Sequence, residues 1–122
     1  MKRKMSTMLV GIVSMMSLVI PANAETKSEL GYFKSYSYVA TSQGSTSYVN
    51  SEMSYNSVGR LKIQGMISTG LFSDTYYGNE VAAGSSVRAI KAAVSGQKFI
   101  EAGTDFYIDG TRVKYLGVGC LS

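Results

Sequence analysis

Alternation of apolar and polar residues at every second position runs through most of this chain, and it restricts the fold to extended strands whose side chains point to two opposite faces. In TSYVNSEMSY, residues 46–55, Val49, Ser51, Met53 and Tyr55 alternate with Tyr48, Asn50, Glu52 and Ser54. RLKIQGMIS, residues 60–68, sets Leu61, Ile63 and Ile67 against Arg60, Lys62 and Gln64. Asn56 to Gly59 lies between them as turn-forming punctuation, so the two segments are expected to pair as a hairpin. GYFKSYSYVAT, residues 31–41, reads as one strand with Tyr32, Lys34, Tyr36 and Tyr38 on one face, followed by a turn at Ser42 to Ser45. LFSDTYY, residues 71–77, is another strand, closed by Gly78 and Asn79, and QKFIEA, residues 97–102, is short and extended.

Residues 85–96, SSVRAIKAAVSG, admit two readings. Alanine content and a stripe of Val87, Ile90 and Val94 favour a short helix near 86–95, which would make the fold α+β. Neighbouring strands, and a face shared by Val87, Ala89 and Ala93, favour another strand, which is the reading adopted. Strands recurring every 8 to 12 residues or so imply a mainly β domain: a small antiparallel sandwich or barrel of about 6–8 strands.

The sharpest local signal is DFYIDGTRVKY, residues 105–115. Asp109-Gly110 between alternating runs marks a two-residue type I′ turn, because both central positions need positive φ. An unbroken ladder from that turn would oppose Ile108 to Thr111, Tyr107 to Arg112, Phe106 to Val113, Asp105 to Lys114 and Thr104 to Tyr115. One face then collects Phe106, Ile108, Val113 and Tyr115, while the other collects the charged residues and Tyr107. Cross-strand pairs of this kind set register and are worth about 0.2–1 kcal/mol each. A calcium loop fails here, since Tyr107 and Leu116 occupy positions that require carboxylates. Asp109 and Gly110 are therefore expected to be a turn before they are a site.

Upstream of this β region, MKRKMSTMLVGIVSMMSLVIPANA combines Lys2, Arg3 and Lys4 with a short apolar run and Ala22-Asn23-Ala24. Such a pattern is a cleavable secretory signal, here residues 1–24, with residues 25–122 forming one small domain. Its apolar run is too short and too interrupted for a membrane anchor. Those three cations are among 12 Lys and Arg, and all 8 Asp and Glu lie downstream, so the mature chain would carry a net charge of +1. Nucleic acid is an unlikely partner for so balanced a surface.

Histidine is absent and there is a single cysteine, which removes imidazole-based catalysis and cysteine zinc clusters. No phosphate-binding glycine motif occurs. The carboxylates Glu52, Asp74, Glu80, Glu101, Asp105 and Asp109 show no spacing that selects a glycosidase pair. No cofactor or metal is implied, and the chain is not expected to be an enzyme. Nine tyrosines, all in the mature region, are the remaining signal. Tyr32, Tyr36 and Tyr38 could form a binding face, because tyrosine offers a flat ring and a hydroxyl at small entropic cost; equally, aromatic residues fill ordinary half-buried strand positions. Cys120 is either a small buried hydrophobe in a monomer or the link of a disulfide dimer.

The expected function is that of an exported bacterial protein, extracellular or envelope-associated, which binds a protein or a wall polysaccharide without catalysis. The alternative is a secreted bacteriocin- or toxin-like polypeptide acting on neighbouring cells.

Overall fold

The computed structural model describes residues 25–69 and 74–120; residues 1–24, where a signal peptide is expected, and residues 71–73 of the expected 71–77 strand, lie outside them. Six strands follow in chain order: β1 (Glu25–Phe33), β2 (Tyr36–Gly44), β3 (Tyr48–Ser68), β4 (Asp74–Ala92), β5 (Glu101–Ile108) and β6 (Thr111–Gly119). All pairings are antiparallel, and they run β1-β2-β3-β5-β6 with β4 attached to β3, giving a nearly closed, barrel-like sheet. The mainly β expectation holds, and no helix forms among the described residues.

Residues 86–92 belong to β4, where Val87 pairs with Met53 and Ala89 with Ser51. Val87 and Ala89 are buried while Ile90 is exposed, so period two prevails over alanine's helix propensity. Beyond Ala92 the chain leaves the ladder, turns at Ser95-Gly96 and sends fully buried Phe99 inward, its amide donating to Thr46 O at 3.0 Å. Only the last two residues of QKFIEA enter β5.

Three local expectations are corrected. Residues 46–55 and 60–68 do not pair with each other, because β3 continues for 21 residues through Asn56 to Gly59. None of those four residues adopts positive φ; the ladder is instead irregular between Ser54 and Gly59, which lets the long strand bend. β4 follows β3 along both halves, while β2 takes the first half and β5 the second. Gly78 and Asn79, expected to end a strand, both have positive φ, but they sit within β4 beside its register shift.

The second correction concerns residues 31–41, which form a hairpin and not one strand. Lys34 and Ser35 make a two-residue turn, with Lys34 at φ 59° and Phe33 opposite Tyr36. The third is in the Asp-Gly hairpin. Its turn is as expected, with φ of 50° at Asp109 and 84° at Gly110, and Tyr107 faces Arg112. Val113 then bulges out of register, so that Phe106 faces Lys114, Asp105 faces Tyr115 and Thr104 faces Leu116. One inserted residue carries Tyr115 to the opposite face from the one expected.

Inside, Leu61, Ile63 and Ile67 of β3 meet Phe106 and Ile108 of β5, all fully buried. Each such side chain contributes roughly 1.5–3 kcal/mol of transfer free energy. β1 and β6 stand at the two ends of the pairing path and are bridged by side chains. Gly119 N donates to Glu25 Oε1 at 2.7 Å, and Lys114 Nζ lies 3.2 Å from Glu29 Oε1. From β2, the Tyr38 hydroxyl donates to Val113 O at 2.8 Å, using the carbonyl of the bulged residue.

Candidate functional site

Successive residues on a strand point to opposite faces, so the residues alternating with the β3, β5 and β6 core form an outward-facing surface. Register stacks them in rows. Met66 pairs with Tyr76 on one side and with Gly103 on the other, and Gly103 pairs with Gly117. The row on one side is Gln64, Asp105 and Tyr115; on the other it is Ser68, Glu101 and Gly119. At its β1 end this surface reaches Glu25 and Lys27. Together these residues line an open groove of about 690 Å³, within the roughly 300–1,000 Å³ common for small-ligand sites.

Tyr115 shapes the middle of the groove. A Cβ on Gly103 would meet the Tyr115 hydroxyl and ring well inside van der Waals contact, and one on Gly117 would come within 3.3 Å of the same hydroxyl. The phenol end of Tyr115 therefore lies across the glycine pair, occupying space that side chains would otherwise take. It remains 56% exposed. Glycine inside a strand forfeits packing and conformational stability unless something approaches the backbone closely, and here that something is the ring. Tyr76 is exposed and Met66 partly so, and they form one wall of the groove.

Three carboxylates and one lysine line the groove. Asp105 Oδ1 accepts from Arg112 Nη1 at 3.0 Å, in place of the expected Lys114 pairing. Glu25 holds Gly119 N, with Lys27 Nζ 3.8 Å away. Glu101 is exposed and forms no ion pair among the described residues. No group of three or more potential metal ligands occurs among the described residues. Tyr107 borders the groove under Lys62, whose Nζ is 5.1 Å from the ring centroid in a cation–π contact.

The tyrosines singled out from sequence are distributed differently. Tyr32 is 71% exposed but faces away from Tyr38, since the Lys34-Ser35 turn pairs Tyr32 with Ser37 and Gly31 with Tyr38. Tyr36 packs edge-on to Tyr55 at 6.2 Å between centroids. Tyr38 is buried in the core. The three do not share a face, and none of them lines the groove. Tyr77, also buried, donates to Ala89 O at 2.9 Å, and burial raises its pKa.

Asp109 is a turn residue in full: its amide donates to Arg60 O and its Oδ1 accepts from Arg60 N, both at 2.8 Å. Cys120 is a free, buried thiol packed near Gly44. Burial first, then the charges of Glu101 and Glu25, push its pKa up to about 11.

Sequence reasoning missed Tyr115, Tyr76, Gly103 and Gly117. The bulge at Val113 hid the orientation of Tyr115, but glycines at positions 65, 103, 117 and 119 within strand-like runs were a usable signal of close approach to the backbone. No family model, curated protein or solved structure matches this chain.

Proposed function

We propose that this is an exported bacterial protein that binds a wall polysaccharide or a protein, at the cell surface or outside it, without catalysis, through the groove on the outer face of β3, β5 and β6. The observation that carries the proposal is Tyr115: a ring laid over Gly103 and Gly117 yet left more than half exposed. A ring held this way meets a ligand at little entropic cost. The groove is built on paired strands, which hold its side chains more rigidly than loops would. A non-catalytic role is supported by the carboxylates, since Glu25 and Asp105 are already engaged in structural contacts and do not form a free acid–base pair with Glu101. Export is supported by the sequence pattern of residues 1–24, in which Lys2, Arg3 and Lys4 precede a short apolar run and Ala22-Asn23-Ala24. Burial of Cys120 favours the monomer over a disulfide dimer.

Sedimentation of the chain from Glu25 to Ser122, which contains all six strands, with isolated bacterial cell walls tests the proposal. Binding that survives added salt and is displaced by soluble wall polysaccharide is the expected result. Failure to sediment under any condition removes wall binding and leaves protein partners.

A further inference from the structure

The groove's chemistry narrows the ligand class, given that the proposed binding role is correct. Its floor is the face of a sheet, not an edge. β5 is paired on one side with β3 and on the other with β6, so its backbone groups are committed to those ladders. An extended peptide cannot add a strand to β5, both of whose edges are taken. Over β5 recognition comes from side chains, and at the middle of the groove these are the exposed Tyr115 ring with carboxylates beside it.

A pyranose suits such a surface, because its C–H face packs on an aromatic ring while its rim groups meet polar side chains. Charge then selects among sugars. Three carboxylates, Glu25, Glu101 and Asp105, line the groove against Lys27. Phosphate- or uronate-bearing polymers would be repelled. Glu25 and Asp105 have protein partners, leaving Glu101 as the carboxylate without an ion pair among the described residues. Covering it with a neutral sugar would desolvate an unanswered charge, whereas an ammonium group would satisfy it. Glu101 is two residues from Gly103 on the same face of β5, a separation of about 7 Å along the strand. One sugar ring with its substituents spans the distance from the ring over Gly103 to that carboxylate.

We infer that the groove binds a sugar polymer bearing free amines, with a pyranose packed on Tyr115 and its ammonium group against Glu101. Calorimetric titration of the protein recovered after export tests this with four probes: a de-N-acetylated β-1,4-glucosamine tetramer, its N-acetylated form, the corresponding glucose tetramer, and tetralysine. The free-amine tetramer binds at least about tenfold more tightly than the other two sugars, the difference expected of one charge-assisted hydrogen bond. Tetralysine, having charge but no pyranose face, binds weakly. Glu101→Gln removes the preference for the amine, Tyr115→Ala weakens all three sugars about tenfold, and Tyr115→Phe retains binding.

Equal affinity for the three sugars, an amine preference untouched by Glu101→Gln, or tetralysine binding as tightly as the glucosamine tetramer would overturn the inference. Sedimentation with walls before and after chemical N-acetylation separates it from the broader proposal. Equal sedimentation by both preparations overturns the amine requirement while wall binding stands. Sedimentation by neither overturns the amine inference and wall binding together, leaving protein partners.

Discussion

The two hairpins that meet across the β1–β6 seam use one packing device in opposite directions. In β1–β2, Tyr38 fills the space left by Gly31 directly opposite it; in β5–β6, Tyr115 fills the space left by Gly103, one row away. Tyr38 faces inward, is 6% exposed and spends its hydroxyl on Val113 O. Tyr115 faces outward and is 56% exposed. The inner pair stabilises the fold. The outer pair prepares a surface.

If this contrast is right, mutation should separate the two sites. Tyr38→Ala is the largest effect: losing a buried aromatic costs about 3–5 kcal/mol, and it also leaves the Val113 carbonyl without its donor. Thermal melting should show a loss of that order, and a near-normal melting temperature would remove Tyr38 from the core. Next come the paired glycines. Gly31→Ala forces its new methyl group into a ring that is buried and hydrogen-bonded, so about 1–3 kcal/mol of overpacking is expected. In Gly103→Ala the clash falls on the far end of an exposed ring, which can swing into water. Stability should then change by less than about 0.5 kcal/mol, as at ordinary surface positions, while wall binding falls. Equal destabilisation by the two alanines would erase the distinction.

Cys120 extends the contrast to the end of β6, where an inward thiol lies beneath the groove. Its folded-state pKa is raised to about 11 from an ordinary 9.0. The sign follows from the protonated form being favoured: the stabilisation is complete below pH 9 and is lost as pH rises toward and through 11. Urea melts at pH 8 and pH 10.5 should show the native chain losing more stability over that interval than Cys120→Ala. At neutral pH the native thiol should react with a disulfide reagent only after unfolding. Rapid native labelling would place Cys120 at the surface and reopen the disulfide dimer.

How far these features were legible from sequence depended on the backbone geometry each turn requires. Asp109-Gly110 could be read directly because a type I′ turn needs two positive φ values, and few residue pairs supply them. Lys34-Ser35 could not, since Lys at φ 59° is unfavourable on local grounds and is held by long-range contacts such as Tyr55 Oη donating to Phe33 O. Asn56 to Gly59 shows the reverse failure. Turn-forming residues there bend a continuous strand, because β4 pairs with both halves of β3. The groove was hidden by one residue: without the bulge at Val113, Tyr115 falls on the core side, and with it the ring lies over the glycines.

The central claim, that Tyr115 serves a ligand while Tyr38 serves the fold, is tested most directly by measuring wall sedimentation and melting temperature together for Tyr115→Ala. The account predicts a melting temperature close to that of the native chain with sedimentation largely lost. Undiminished sedimentation, or loss of binding only in step with loss of folding, would contradict it.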